Sequence, residues 1–231
     1  MLHEKRIVLD PRLSLIAELA GHCECYADIG CDHGRLGAFM LQNDLCHRAQ
    51  LTDISEPSLK KARALIALLD LSDRVDFCVG DGAQALIAPA EVVVIAGMGG
   101  ATIGQIVRQG RERLKNARLI LQPNVASTEL REVLSDTGYC ITDERVVQDG
   151  RRNYIVMQAE RGISNYSQRE KIVGPVLLRR LPPELKPYAE FRLRVLQKAH
   201  GGAVKGGDQA QQEQIEMEKA VWEEVCACLQ R

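Results

Sequence analysis

Residues 25–37, reading C-Y-A-D-I-G-C-D-H-G-R-L-G, constrain this chain most. An apolar run ends on an acid and breaks into a glycine turn before a helical pattern. That is the corner between a strand and a helix in an open α/β sheet. Asp28, Gly30 and Gly34 set the pattern D-x-G-x-x-x-G. Glycines at such a corner let the backbone approach a ligand closely and adopt dihedrals closed to other residues. The spacing departs from a dinucleotide fingerprint. G-x-G-x-x-G would put glycine where Asp32 stands and would seat a pyrophosphate on the helix N-terminus. Here Asp28, Cys31, Asp32 and His33 crowd the turn, and its carboxylates repel a pyrophosphate. They suit a cation. The nucleoside cofactor that carries positive charge in place of phosphates is S-adenosylmethionine (SAM), and the turn predicts it.

Three further strand ends repeat the theme. Q-L-T-D-I-S puts Asp53, with Ile54 beside it, at the end of a second apolar run, where an acid accepts both ribose hydroxyls. R-V-D-F-C-V runs into Gly80-Asp81-Gly82, an acid between glycines placed to meet the adenine amino group. A fourth run, residues 91–96, ends in Gly97-Met98-Gly99-Gly100. Ligands of open α/β sheets bind at such carboxyl ends.

The rest of the chain reads as alternating strands and helices, then helices only. Helices are predicted over 11–20, 36–43, from Ser55 onward, over 102–115, and from a cap at Ser127 to Gly138. Strands are predicted over 24–29, 50–54, 75–79, 92–96 and 118–122, followed by 139–147 and 153–159. The link 148–152 is too short for a parallel crossover, so the last two strands are antiparallel. Five βα units closed by an antiparallel hairpin give the Rossmann-like, seven-stranded α/β sheet of class I methyltransferases. Residues 1–160 form that domain. Residues 161–231 are predicted as a helical, coiled-coil-like domain: a helix over 167–180, a break at Leu181-Pro182-Pro183, a helix over 184–200, a flexible glycine loop over 201–208 and a last helix.

Length and composition exclude several classes. A chain of 231 residues with 45% hydrophobic content suits one full α/β domain with an appendage. The net charge of −1 gives no global sign of nucleic-acid binding, and no apolar run reaches the length of a membrane span. Asp10, Arg12 and Glu18 interrupt any secretory leader, so a cytoplasmic location is expected, with the eight cysteines reduced. Cys23-x-Cys25 and Cys226-x-Cys228 lack zinc spacing, and no metal site is predicted. Charge is local instead. Residues 161–205 hold ten Lys or Arg against three Glu, a net of +7, and residues 206–231 hold two against six acids, a net of −4. Two readings stand together: a helical hairpin held by complementary charge, and a basic face that contacts phosphate. The candidate phosphate contacts are Arg169, Lys171, Arg179, Arg180, Arg192, Arg194 and Lys198.

The strings D-I-G-C-D-H-G-R-L, G-D-G, I-A-G-M-G-G and L-I-L-Q-P-N, in this order, resemble the TrmK family of bacterial tRNA methyltransferases. The resemblance covers about residues 9–160 and extends to G-P-V-L-L-R-R in the tail. It departs at Arg35, where the family usually has an aromatic, and at Gly37, where it often has proline. It implies SAM as cofactor, tRNA as substrate, and methylation at N1 of adenine 22. Asp28 is then expected near the cofactor's amino group, Gly30 beneath its methionine end, and Asp32, His33 and Gly34 along the same loop. Gly97, Met98, Gly99 and Gly100 stand where many amino-methyltransferases carry an Asn/Asp-Pro-Pro-aromatic motif; the glycines leave room for a flat base, and Met98 is a catalytic candidate that packs against the base or else fills core. Asn124 is a candidate to bond the base edge. Adenine N1 already has a lone pair, so no indispensable general base is expected; Asp32 is the first candidate if one acts. The rival readings are a SAM-dependent enzyme acting on another RNA base, a small molecule or a protein, with the tail as structural hairpin only, a nucleotide-binding oxidoreductase, and a non-catalytic RNA-binding module. No obligate protein partner is evident.

Overall fold

The computed structural model describes residues 6–230. Seven strands form one sheet: β1 Cys23–Ile29, β2 Cys46–Asp53, β3 Val75–Val79, β4 Val92–Met98, β5 Arg118–Pro123, β6 Tyr139–Asp149 and β7 Arg152–Arg161. Their spatial order is β3-β2-β1-β4-β5-β7-β6. The first five are parallel, and β7 runs antiparallel to both β5 and β6. After β3 the chain returns to the middle and adds β4 on the other side of β1. The order reverses there, which opens a crevice at the carboxyl ends of β1 and β4. The central strand β4 is buried on both faces through Val92, Val93, Val94 and Ile95, as a parallel strand covered by helices must be.

Helices α1 Pro11–Ala20, α2 Arg35–Gln42 and α3 Glu56–Leu68 cover one face, with Ile16, Met40, Leu59 and Ile66 packed on Tyr26, Leu51 and Val94. α1 starts on Asp10, whose side chain accepts from Leu13 N at 2.7 Å, with Pro11 in the first turn. Ser55 caps α3 in the same way through Ser58 N. The other face carries α4 Gly100–Gln109 and α5 Ser127–Asp136, then the tail: α6 Gln168–Val173, α7 Pro175–Arg180, α8 Leu185–Gly206 and α9 Gln209–Cys228. Ile172, Val173, Leu177, Leu185 and Trp222 share one hydrophobic cluster with Ile103, Leu121 and Met157. The core therefore runs without interruption across residue 160. Among the described residues, no helix is long and apolar enough to cross a membrane.

Several local expectations are corrected. The helix expected over 102–115 begins at Gly100 and ends at Gln109, where Gly110 packs so close to Ala83 that a Cβ would meet its methyl at 2.4 Å. Leu114, expected on that helix, is still buried. Ser127 is no cap: Ala126 takes the left-handed conformation, φ 59°, and Ser127 is the first helical residue. The helix expected over 167–180 is broken at Gly174, φ 120°, into α6 and α7. The loop expected over 201–208 is helical up to Gly206, so the turn between α8 and α9 is only Gly207 and Asp208. Ala203 is buried between helices, and that packing, with Ile215 opposite on α9, outweighs the helix cost of the flanking glycines.

A clamp fixes the tail to the sheet. Arg131 of α5 and Glu144 of β6 are fully buried and paired at 2.9 Å. Arg131 also donates to the carbonyls of Lys171, Ile172 and Val173, at the end of α6, at 2.8, 3.2 and 3.0 Å. Glu144 accepts from Val176 N in the first turn of α7 at 3.0 Å. Each charge thus meets the helix end whose dipole it complements. Gly174 is required between them, since a Cβ there would meet the Glu144 carboxylate.

Candidate functional site

The crevice is a cavity of about 640 Å³ at the carboxyl ends of β1 to β4. The turn after β1 forms its floor. Gly30 (φ 77°) and Cys31 both donate their amides to Thr52 O, at 2.9 and 3.0 Å, which ties the turn to β2. Gly30 faces the side chain of Met98 so closely that a Cβ would sit 2.1 Å from its Cε. Asp32 adopts φ 50°, and its amide donates to Asp53 Oδ2 at 3.0 Å. The other oxygen of Asp53 accepts from Ser55 N at 2.8 Å. A carboxylate has about four acceptor sites, so Asp53 keeps lone pairs for two hydroxyls after both backbone bonds.

Asp28, Gly30, Cys31, Asp32, His33, Asp53, Ile54, Gly80, Asp81, Gly82, Gly97 and Met98 line this cavity. Two residues expected with them do not. Gly34 (φ 69°) stands behind the turn, where a Cβ would lie 2.8 Å from that of Ala62, and it lets α2 lie on α3. Gly99 caps α4 from outside the cavity wall. Burial pushes the carboxyl of Asp28 up to about 7, with Asp53 adding to the shift and Tyr26 opposing it. Burial likewise raises the Cys31 thiol, which is inert rather than nucleophilic. Asp32 pairs with His33 at 3.3 Å, and His33 reaches Lys61 of α3 at 3.1 Å. Asp32 therefore points toward the α3 side of the crevice.

The opposite side is built by β4 and β5. A bulge at Gly97 (φ 76°) shifts their register between Ala96 and Met98. Gln122, fully buried at the end of β5, accepts from Arg12 Nη1 at 2.7 Å and from Gly97 N at 3.2 Å. Its amide donates to Asn124 Oδ1 at 3.1 Å, and Asn124 Nδ2 donates to Gly97 O at 2.7 Å. Asn124 is thus held rigidly at the rim. It lines a second, smaller cavity rather than the crevice itself, and Asp32 and Asn124 stand on opposite sides. Gly100 closes the approach, since a Cβ there would fall 2.0 Å from Ala126 O.

Arg12, Gln122, Thr102 and Tyr154 were not singled out from the sequence. Arg12 reaches the crevice from the first turn of α1 and lies 5.6 Å from the Tyr154 ring centroid. Only Gln122 carried a signal, as the polar residue that ends an otherwise apolar strand before Pro-Asn. Arg35, also in the lining, donates to Val8 O at 2.7 Å, and Gly37 packs against Leu51.

The tail cations divide into two groups. Arg169 pairs with Glu224, Lys171 with Glu132, Arg180 with Asp143, and Arg192 with Glu218. Arg179, Arg194 and Lys198 are exposed and have no ion-pair partner among the described residues. Complementary charge therefore holds the helices together, and it leaves a smaller set of cations for solvent or a ligand.

The crevice chemistry fits a cationic amino-acid nucleoside. Three acids stand at successive strand tips, Ile54 and Ile106 offer apolar walls, and Arg12 at the β4 side complements a carboxylate. A family model described as a methyltransferase domain matches residues 9–157. The chain is 32% identical over 156 residues to the tRNA (adenine(22)-N(1))-methyltransferase of Bacillus subtilis strain 168, spanning 67% of this chain and 66% of that protein. It is 33% identical over 176 residues to a Mycoplasma pneumoniae relative, spanning 72% of this chain and 80% of that one. Among solved structures, the Bacillus subtilis tRNA methyltransferase TrmK superposes with a TM-score of 0.86 at 25% identity, over 95% of this chain and 99% of that one. A Streptococcus pneumoniae protein in complex with S-adenosyl-L-methionine superposes with a TM-score of 0.84 at 24% identity, over 93% and 98%.

Proposed function

Because the chain belongs to the TrmK family of SAM-dependent methyltransferases, we propose that it methylates N1 of an adenine in tRNA, adenine 22 by the position its Bacillus subtilis relative is named for. The observation that carries this reading is the crevice itself, where acids from three strand tips converge opposite the bulged Gly97-Met98 tip and the rigid Asn124. Bound SAM supplies a methyl group made electrophilic by its sulfonium. Asp53 would accept from the ribose hydroxyls and Asp81 from the adenine amino group, with Ile54 beside the adenine. Ionised Asp28 and Arg12 would hold the ammonium and carboxylate of the methionine end.

The protein's remaining task is placement. The lone pair of adenine N1 lies in the ring plane and needs no base to expose it, so holding the ring in line contributes most of the rate. Gly97 leaves space for a flat ring beside Met98, and Asn124 fixes the rim that meets its edge. N1 lies on the Watson–Crick edge, so the base is taken unpaired or flipped from the tRNA. Asp32 faces α3 and does not act on the base. The basic tail contacts tRNA phosphates through Arg179, Arg194 and Lys198, and the enzyme works in the cytoplasm with its tRNA. Transfer of labelled methyl from SAM to bulk tRNA, followed by mass spectrometry of the digested nucleosides, tests the reading. Label in 1-methyladenosine is the expected result. Label found only in protein or small metabolites overturns it.

A further inference from the structure

The second cavity lies between the ends of β5 and β7 and helix α8. Its volume is about 100 Å³, too little to enclose a cofactor or a whole nucleobase, so a ring bound here lies across its mouth. Asn124 and Asn153 line it from the tips of β5 and β7, Tyr154 stands beside them, and Tyr188, Phe191 and Val195 line it from α8. Asn124 joins this cavity to the crevice through its bond to Gly97 O. Tyr154 does the same through Arg12, which lies over its ring and lines the crevice.

Two observations give the mouth of the cavity a ligand chemistry. First, Phe191 is 39% exposed and Val195 38% exposed, both apolar side chains at the rim of the cavity. Phe191 is backed by Tyr188, with ring centroids 6.3 Å apart, and Tyr188 packs edge-on to the buried Trp222 at 5.7 Å. The exposed ring is therefore held by a layer of aromatic side chains. Second, Phe191, Arg194, Val195 and Lys198 fall at i, i+3, i+4 and i+7, one stripe of α8. Arg194 and Lys198 are two of the tail cations without ion-pair partners among the described residues. An exposed aromatic flanked by uncompensated cations is the combination that stacks a base and tracks its phosphates.

We propose that the mouth of this cleft is a nucleobase subsite for the RNA substrate, in which an unpaired base stacks on the exposed face of Phe191. Arg194 and Lys198 hold the phosphates on either side. The tail then reads a base as well as contacting the backbone, and it does so beside the reacting centre. The inference rests on the tRNA reading above.

The test uses the full chain and bulk tRNA, with SAM saturating. Phe191→Ala should lower kcat/KM for tRNA roughly 5- to 150-fold, the range for loss of one stacked base. Phe191→Tyr should restore it, because any aromatic face stacks. Calorimetry with S-adenosylhomocysteine should be unchanged in both variants. Salt separates the two kinds of contact. Arg194→Gln and Lys198→Gln should each flatten the dependence of tRNA affinity on salt, whereas Phe191→Ala should weaken binding without changing the slope. Unaltered kcat/KM in Phe191→Ala overturns the subsite. So does a loss that Phe191→Tyr fails to restore, or one accompanied by lost cofactor binding. If the wild-type chain transfers no methyl to tRNA, the function reading itself has failed, which is a different result from an active enzyme indifferent to Phe191.

Discussion

Replacing Arg131 by Met removes one half of the buried clamp and leaves the other half in place. Glu144 then sits fully buried without its cation, and the carbonyls of Lys171, Ile172 and Val173 lose their donor. Breaking a buried pair from one side costs about 3–5 kcal/mol. The charge part has an upper bound, because Glu144 can take up a proton. Neutralising a carboxyl of ordinary pKa at pH 7 costs roughly 3.7 kcal/mol. In a chain of this size the midpoint of thermal unfolding should fall by roughly 6–20 °C. Burial already pushes the Glu144 carboxyl up, with Arg131 pulling against it, and the variant loses that pull. A carboxyl whose folded pKa is raised binds more protons folded than unfolded, so stability falls as pH rises between the two values. The penalty should therefore be smaller at pH 5 than at pH 7.5, leaving at low pH the cost of the carbonyls that lost their donor. Urea unfolding followed by circular dichroism at pH 5 and pH 7.5 reads both quantities. Adding Glu144→Gln to Arg131→Met should abolish the extra pH dependence. A loss below about 1 kcal/mol, or one equal at the two pH values, would refute the reasoning.

Asp53→Ala should weaken S-adenosylhomocysteine binding by about 1.5–3 kcal/mol, since a charged acceptor for two hydroxyls is lost; calorimetry checks it. With its carboxyl at about 7, Asp28 attracts an ammonium only when ionised, so cofactor affinity should decline as pH drops through 7 and reach its plateau above. In Asp28→Asn that bend should vanish, while turnover at saturating SAM stays flat from about pH 6 to 9 because no group needs to titrate in the transfer step. Gly100→Ala should cost about 1–3 kcal/mol, because the carbonyl of Ala126 cannot yield, whereas Gly99→Ala, whose nearest neighbour is 3.8 Å away, should change urea stability by less than about 0.5 kcal/mol.

The sheet was legible because each strand end carries its own punctuation. Asp28-x-Gly30, Asp53, Gly80-Asp81-Gly82 and Gly97 mark four tips, and the short link at Gly150 forces the antiparallel finish. The crevice followed from those tips. The Arg12–Gln122–Asn124 network did not, because it joins positions separated by 110 residues, and a lone Arg in a first helical turn looks like any solvated side chain. The tail misled at one point: glycines over 201–207 read as a loop, since propensity cannot see the buried contact of Ala203. The change of composition after residue 160 reads as a domain boundary, and composition cannot see the bonds that cross it, from the paired Arg131 and Glu144 to residues 171–176.

The helical arm is graded in local stability along its length. At its root, α6 and α7 are locked by buried charge and α8 by Tyr188 and Trp222. Toward its tip, Gly201, Gly202 and Gly206 lie in α8 with no atom within 4 Å of where a Cβ would be. Each glycine weakens a helix by about 0.8–1.0 kcal/mol relative to alanine, so together they lower the opening free energy of the last two turns by roughly 2–3 kcal/mol. Backbone amides there should exchange with solvent long before those around Leu196, as a separate opening unit. Such an arm is stiff at its root on the sheet and compliant at its tip, so its far end can bend without disturbing the geometry of the near one.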